Sequence, residues 1–557
     1  MSSPRALGAV DVPRTPILSR RQWWSLLTIS LAVSLIIVDS TIVNVAIPSI
    51  VDDLSITSTQ VQWVQESYTL VFAALLLLFG ALADRFGRKN LLAVGVIIFM
   101  LASVAAAIAP TGDLLILARV IQGIGGAMVL PTTLSLVNIG FTGRARAIAF
   151  AVWGSTIGGV VALGPLLGGW LTTAFTWRYA FGINIPLGAL VLVGVWLAVV
   201  DARAGDEPPT RLDLGGAALS VVASASLVFG LIEGRTLGWW FSDPAVPFTV
   251  AGWEWPWAVS PVPLAMMVAL VAGVSFVVRA RRRERLGLPS LVSLHLFQLA
   301  SFRNGNVAAL IISLGEFGII LALPLWLQNV VGYDALQTGL VLLGLALGSF
   351  VASGLSAGLT RRFSPVLLVR IGIGAEILGV AGLALVLRPD SGWTSVVPLL
   401  FVYGIGVGLA TAQLTGVILR DVPERLSGQG SGTQSTARQV GSALGIAILG
   451  TVLFTATGAV LDARIAERQP GLDAAARASV VDGVVVSAGA SIPALRAQDP
   501  ELGAEAAEAF TDGTRLAAGA ASAFLLVGFA ATFGLRANRE GSVAAGAGRG
   551  SERNSAR

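Results

Sequence analysis

The chain is 557 residues long, 55% of its residues are apolar, and only 12% are charged. A soluble protein carries about 25% charged residues, so this composition excludes an ordinary water-exposed surface and indicates lipid as the main solvent. The sequence has no cysteine and one histidine, His295, which excludes disulfides and clustered metal ligands, and we expect no cofactor. The net charge of +5 does not indicate nucleic acid, because the arginines lie at the ends of apolar stretches.

Apolar stretches of membrane-spanning length recur along the whole chain. A spanning helix needs about 20 predominantly apolar residues. The first stretch is too long for a signal peptide and lacks a cleavage site, so we expect it to be retained. The sequence predicts an all-α polytopic membrane protein with fourteen spanning helices at 23–50, 61–83, 89–110, 114–138, 145–172, 180–200, 212–233, 258–279, 303–330, 336–358, 365–387, 394–418, 429–456 and 514–535.

Basic residues are distributed unequally between the two sets of loops. With the N-terminus placed in the cytoplasm, the short external loops hold only Arg178, Arg235 and Arg388, and the cytoplasmic segments hold most of the remaining arginines. The positive-inside rule therefore predicts a multi-pass protein of a bacterial inner membrane with both termini cytoplasmic. A tryptophan-rich stretch at 239–257 is predicted to be an external loop at the membrane interface.

A weak internal repeat divides the chain into related halves. Residues 80–89 are echoed by 357–366 at an offset of 277, and 122–126 by 403–407 at an offset of 281. Parallel repeats of this kind build one large class of transporters. We therefore predict the following organisation: a cytoplasmic N-terminal segment (1–22), a six-helix half (23–200), a two-helix insert with a cytoplasmic connector (201–302), a second six-helix half (303–535) with an external loop (457–513), and a disordered cytoplasmic tail (536–557).

The segment from Gly80 to Lys89 joins the second and third predicted helices and reads Gly-Ala-Leu-Ala-Asp-Arg-Phe-Gly-Arg-Lys. Its glycines permit a tight turn, and its charged residues can pair with neighbouring helix ends. A generic positive-inside loop is the alternative interpretation. The segment resembles, residue for residue, the signature loop of the major facilitator superfamily. This resemblance implies a gating role for five of its residues, which are Gly80, Asp84, Arg85, Gly87 and Arg88.

Further segments resemble the fourteen-helix drug:proton antiporters of that superfamily. Residues 39–48 are similar to their first-helix motif, and 119–126 to their proton-coupling motif. Residues 164–169, which read Gly-Pro-Leu-Leu-Gly-Gly, are similar to a motif associated with exporters, and residues 177–186 and 438–441 also fit.

The glycines and the proline of the exporter-like motif suggest a place where a helix bends or approaches another closely. Gly-Pro weakens the hydrogen-bond ladder in mid-membrane. We therefore expect four residues to form a hinge or a helix–helix interface: Gly164, Pro165, Gly168 and Gly169. The alternative is that they only pack against their neighbours.

Charged residues inside predicted spans cost roughly 2.5–3.5 kcal/mol each on insertion scales. At 1.5 Å per residue, Asp39, Arg119 and Glu66 fall at a similar depth in the outer half. A carboxyl group balanced between burial and a nearby arginine can load and release a proton. We expect Asp39 and Arg119 to couple proton movement, with a static salt bridge as the alternative.

Two glutamates lie in the middle of predicted helices of the second half. By resemblance, the helix of Glu316 lines the central cavity, so Glu316 is a second protonation site, a contact for cationic substrates or a packed, protonated residue. The helix of Glu376 is peripheral in that fold, and we interpret Glu376 as a packed residue without a transport role.

The outer end of the second helix carries Trp63, Glu66 and Tyr68. A carboxylate flanked by aromatic rings attracts cationic compounds. We expect these three residues, together with Gln122, to contact substrate. The alternative is that Glu66 lies in the interfacial zone, where a charge is tolerated.

The resemblance implies a proton-coupled antiporter that exports small organic compounds, with protons, lipid and a small molecule as its partners. The nearest alternative is a dedicated exporter of one metabolite, lipid or self-made antibiotic. A membrane enzyme is disfavoured because the sequence offers few catalytic side chains. A transport-dead sensor would not need Asp39, Asp84 and Arg119, all of which are present.

Overall fold

The computed structural model describes residues 18–160, 163–199, 212–242, 248–250, 253–360, 362–469 and 471–535. Most of the predicted segment 1–22 and all of the predicted tail 536–557 lie outside these residues. The described chain is almost entirely helical. Its one regular sheet pairs β1 (Thr249–Val250) with β2 (Trp253–Glu254) in antiparallel register, beside packed tryptophan rings of the predicted external loop.

The N-terminal half begins with two helices that are fixed at their N-termini by side chains. Ser19 with Gln22, and Thr57 with Gln60, form reciprocal capping boxes that satisfy otherwise unpaired backbone N–H groups. The helices of this half are α1 (Arg20–Leu54), α2 (Ser58–Phe86), α3 (Arg88–Ala107), α4 (Gly112–Gly140), α5 (Gly143–Val160), α6 (Leu163–Ala174), α7 (Arg178–Gly182) and α8 (Asn184–Leu197).

Two inserted helices precede the C-terminal half. They are α9 (Leu214–Glu233), which Asp213 caps, and α10 (Pro261–Arg285). The C-terminal half contains α11 (Ala300–Trp326), α12 (Ala335–Leu359), α13 (Pro365–Val386), α14 (Trp393–Leu419), α15 (Ser427–Arg468), α16 (Ala474–Val486), α17 (Ile492–Gln498) and α18 (Pro500–Ala531), with 3₁₀ turns at Leu294–Gln298, Glu424–Leu426 and Thr532–Gly534 and a π turn at Leu327–Val331.

Within the described residues, thirteen helices are long and apolar enough to cross a membrane. Each of them coincides with a predicted span. The remaining predicted span, 145–172, is where α5 and α6 lie, and the two residues between them are not described. The predicted fold class is confirmed: the protein is an all-α membrane protein of two six-helix halves with two inserted helices.

The halves meet along two seams. In one, α2 packs against α15, and α9 packs on both of these helices; in the other, α5 packs against α12 and α14. Successive spanning helices alternate in direction, which defines two ends of the bundle. The Asp84 end contains the turn between α2 and α3, and the Asp53 end contains the C-terminus of α1.

The predicted external loop 457–513 is mostly helical. Helix α15 continues to Arg468, and α18 begins at Pro500 instead of near residue 514. Arg464 forms an ion pair with Asp512 at 2.8 Å, and Arg468 pairs with Glu505. These pairs hold the extensions of α15 and α18 together beyond the apolar span. Because the paired residues are charged, the extensions have low hydropathy, and hydropathy alone predicts a loop there.

Candidate functional site

The N-terminal half contains a fully buried polar cluster centred on Asp39 of α1. The Asp39 carboxylate accepts hydrogen bonds from Arg119 Nη1 at 2.5 Å, from Asn184 Nδ2 at 2.6 Å and from Gln122 Nε2 at 3.1 Å. Gln122 and Asn184 also donate to the Ser103 hydroxyl, at 2.8 and 3.2 Å. The carboxylate is therefore charge-balanced and surrounded by donors, in a site that is 0% exposed.

The predicted meeting of Asp39 and Arg119 is present, and Tyr68 belongs with them. The Arg119 guanidinium lies 4.3 Å from the centroid of the Tyr68 ring, and its Nε donates to the Val64 carbonyl at 3.1 Å. Tyr68 is buried, and its ring packs against the Arg119 guanidinium.

Glycines of the 119–126 motif allow the helices around this cluster to approach. A Cβ at Gly123 would lie 2.8 Å from the Tyr68 carbonyl oxygen of α2, and one at Gly125 would lie 2.8 Å from the Phe99 nitrogen of α3. Both distances are too short for a real side chain. Small residues at these positions bring Arg119 and Gln122 within bonding distance of neighbouring helices.

The exporter-like motif lies next to Asp39. A Cβ at Gly164 would lie 1.7 Å from Thr41 Oγ1, and one at Gly168 would lie 3.0 Å from the Ile42 carbonyl oxygen. Helix α6 therefore contacts α1 directly after the proton-coupling candidate. Gly169 is half-buried in the same helix. The side chain of Pro165 lies outside the part of the chain that the structure describes.

At the Asp84 end, the predicted gating loop joins the two halves. The Asp84 carboxylate accepts the backbone N–H groups of Gly428 and Gln429 at 2.7 and 2.9 Å, and Arg88 Nη2 at 2.6 Å. Arg88 also donates to the Glu424 carbonyl at 2.8 Å. Because α15 begins at Ser427, the carboxylate lies at the positive end of that helix.

The glycines of this loop serve two different purposes. A Cβ at Gly80 would lie 2.6 Å from Gly432 Cα, so α2 and α15 touch through backbone atoms. Gly87 has φ of +88°, a backbone conformation that favours glycine, and it forms the turn into α3. Arg85 is exposed and lies over the Phe86 ring, apart from the contacts between the halves.

The outer part of α2 makes a different contact. Gln62 Nε2 donates to Glu66 Oε1 at 3.3 Å and to Glu233 Oε2 at 2.7 Å. Glu233 is the buried last residue of the inserted helix α9, and no sequence motif associates it with Glu66. Trp63 is half-buried one turn earlier. Glu66 is thus part of the junction between the core and the insert.

The C-terminal half contains a second buried charged cluster. Arg438 Nη2 pairs with Glu316 Oε2 at 3.1 Å, and the Tyr403 hydroxyl donates to the Glu316 carbonyl at 3.2 Å. Glu376 is 0% exposed and interacts electrostatically with both Glu316 and Arg438. The interpretation of Glu376 as a packed residue did not anticipate these charged neighbours, because the sequence does not show which side of α13 carries Glu376.

At the Asp53 end, the 177–186 segment is fixed to α1. Trp177 Nε1 donates to Asp53 at 3.0 Å, and Arg178 forms an ion pair with the same carboxylate. These two hydrogen bonds hold the pKa of Asp53 below its usual range. The contact positions the start of α8, and therefore Asn184, beside Asp39.

Two related helical halves are the architecture of a large class of membrane transport proteins. In this chain both halves also contain buried ion pairs. The family model described as Major Facilitator Superfamily matches residues 29–446. The chain belongs to this superfamily.

Curated relatives include the puromycin resistance protein pur8 of Streptomyces alboniger, 36% identical over 79% of this chain and 84% of that protein. The multidrug efflux pump LfrA of Mycolicibacterium smegmatis is 32% identical over 81% of this chain and 83% of the pump. Among solved structures, the human organic anion transporter MFSD10 aligns with a TM-score of 0.59 at 12% identity, over 92% of this chain and all of that one. That structural likeness concerns the fold.

Proposed function

We propose that the protein is a proton-coupled antiporter that exports small organic, amphipathic or cationic compounds from a bacterial cell. The observation that carries the proposal is the buried Asp39–Arg119 ion pair, whose carboxylate is surrounded by donors in the middle of the N-terminal half. The resistance and efflux names of its relatives supply the direction of transport and the class of substrate.

The proposed orientation places the Asp84 end in the cytoplasm. The basic residues of the chain are concentrated in the segments at that end, as the positive-inside rule requires. Asp84, Arg88 and Gly80 then join the halves on the cytoplasmic side, so the structure corresponds to a state that is closed on that side.

When the Asp53 end opens, the outer medium delivers a proton to Asp39. Protonation removes the charge that holds Arg119 and weakens the pair, because a neutral carboxyl group no longer balances the buried guanidinium. The change in contacts between α1, α4 and α8 biases the halves toward opening at the Asp84 end, where substrate binds and the proton is released. Each charge driven by the membrane potential supplies about 2.3 kcal/mol per 100 mV.

Dye efflux and drug resistance in a pump-deficient bacterium test this function. The protein should lower the accumulation of lipophilic dyes and raise resistance to several unrelated drugs, and a protonophore should abolish both effects. Resistance that persists when the proton gradient is collapsed would contradict proton coupling. A response to one compound only would favour the alternative, a dedicated exporter of a single metabolite, lipid or antibiotic.

A further inference from the structure

We propose that the C-terminal half carries a second proton-binding centre, made by Glu316, Arg438 and Glu376, in which Glu376 holds the proton. The inference rests on the proposed proton-coupled function and extends it, because it assigns a protonation site to each half. It also replaces the interpretation of Glu376 as a packed residue without a transport role.

The first argument is the internal repeat. Glu316 follows Asp39 by 277 residues, which is the offset that relates segment 80–89 to segment 357–366. Tyr403 follows Gln122 by 281 residues, the offset of the second repeated segment. Gln122 donates to the Asp39 carboxylate, and Tyr403 donates to the Glu316 carbonyl. Two pairs of equivalent positions, Asp39 with Glu316 and Gln122 with Tyr403, therefore contribute to the two clusters.

The two clusters differ in their balance of charge. In the N-terminal half one carboxylate faces one arginine and two amide donors, so its charge is fully compensated. In the C-terminal half the arginine of the cluster, Arg438, comes from α15 and forms its ion pair with Glu316, whereas both carboxyl oxygens of Glu376 have no hydrogen-bond partner in the described part of the chain. One negative charge is thus in excess if both carboxyl groups are ionised.

The hydrogen bonds show which carboxyl group has no partner that would compensate its negative charge. Arg438 bonds to Glu316 Oε2, whereas Glu316 Oε1 and both carboxyl oxygens of Glu376 are buried without a hydrogen-bond partner in the described part of the chain. The Glu376 side chain packs against α14, where a Cβ at Gly406 would lie 2.6 Å from its Cγ. An isolated buried carboxylate is strongly unfavourable, so Glu376 is stable here as the neutral acid.

The groups that face Glu376 make this proton exchangeable with the transport cycle. Glu316 comes from α11, Arg438 from α15 and Tyr403 from α14, so together with α13 of Glu376 four helices of the half contribute to the centre. Helices α11 and α15 pack along each other, and α15 carries the contacts of Asp84 at its first turn. A movement of α15 that withdraws Arg438 from Glu316 leaves a carboxylate that can take the proton from Glu376.

Infrared spectroscopy of the purified protein tests the site without requiring transport. The wild type should show the carbonyl stretch of a protonated carboxyl group at neutral pH, and Glu376→Gln should lose one such component. Glu376→Asp should shift the frequency of this carbonyl component. This second variant provides the test if Glu376→Gln does not fold. Asp213→Asn is the matched control, since Asp213 is a buried carboxylate paired with Arg279 and Arg283, and it should leave the band unchanged.

Proteoliposomes with a set pH gradient and membrane potential give the second measurement. The potential at which net substrate flux is zero reports the number of protons exchanged per substrate. Glu376→Gln should lower that number by one, whereas Asp213→Asn should not change it.

The two measurements separate this proposal from the proposed function. An acid band that persists in Glu376→Gln overturns the site, as does an unchanged proton number. A loss confined to cationic substrates at constant proton number would also overturn it, and would make the centre a substrate contact. Loss of the band in Glu376→Gln, in a protein whose wild type exchanges no protons, would leave the site standing and refute the antiporter function.

Discussion

The carboxylate of Asp84, at the end of α2, accepts the backbone N–H of Gly428 in the first turn of α15 at 2.7 Å. The first residue belongs to the N-terminal half and the second to the C-terminal half, so this bond holds the two halves together. A helix N-terminus carries partial positive charge, and a carboxylate placed there gains about 1–2 kcal/mol in favourable, partly buried geometry.

Asp84→Asn should therefore loosen the Asp84 end. The amide can still accept hydrogen bonds but has no charge for Arg88 or for the helix dipole. We expect the population of the state closed at this end to fall about five- to thirty-fold relative to the open one, from the 1–2 kcal/mol of the helix-terminus interaction. Single cysteines introduced into this Cys-free chain, on the α2–α15 seam, should become more reactive. Asp113→Asn, at the other end, is the control, and equal labelling of all three proteins would contradict the assignment.

Asp39→Asn should abolish proton-driven export. The amide keeps the shape and accepts the bonds of Asn184 and Gln122, but it cannot exchange a proton, and it leaves the Arg119 charge unbalanced. Removing one partner of a buried ion pair costs about 3–5 kcal/mol, so the amount of folded protein in the membrane must be measured beside the efflux rate. Asp39→Glu keeps an ionisable group and should retain part of the activity. Wild-type efflux by the Asn variant would show that the pair is only structural.

Glu66→Gln should weaken the export of cations, divalent ones most. The structure suggests a second variant to test, because the Gln62 side chain donates hydrogen bonds to both Glu66 and Glu233 of the inserted helix. Glu233→Gln should reproduce the selectivity change if the two carboxyl groups act together. Efflux assays with a monovalent dye, a divalent biguanide and a neutral drug provide the comparison, with Glu254→Gln, an exposed carboxylate, as control. A uniform loss would place Glu66 in the proton pathway, and no loss would favour the interfacial interpretation.

Gly164→Ala should impair both folding and transport. Its Cβ would overlap Thr41 Oγ1, so α6 and α1 would have to separate beside Asp39. Overpacking of this kind costs about 1–3 kcal/mol. Gly273→Ala in α10 is a matched control, because nothing lies within 4 Å of a Cβ at that position. Thermal unfolding in detergent and dye efflux should both change for Gly164→Ala and remain unchanged for the control.

Hydropathy was sufficient to predict the spanning helices, and depth along the helix together with the motif resemblance predicted the meeting of Asp39 with Arg119. Both features depend on local composition and on the fixed rise of a helix. The contacts of Ser103 and Asn184 could not be predicted in this way, because they depend on the rotation of α3 and α8 about their axes. Asn184 lies within the 177–186 motif, but its sequence context does not show that it donates to Asp39.

The same limit applies to Tyr68 and Glu376. Tyr68 follows Glu66 by two residues, and on a helix this spacing turns the two side chains toward different neighbours. Tyr68 therefore packs under Arg119, and Glu66 meets the insert. The position of its helix in the family indicates a packed Glu376, whereas the role proposed for it depends on the side of α13 on which it lies.

The length of α15 has a mechanical consequence. A helix of 42 residues is about 63 Å long, roughly twice the thickness of the hydrocarbon core. No proline interrupts it, and ion pairs bind its far part to α18. If α15 tilts as a rigid rod about the Asp84 contact by 10°, its opposite tip sweeps about 11 Å. An antibody fragment that binds this protruding tip and prevents its movement would therefore slow transport from the side of the membrane opposite Asp84.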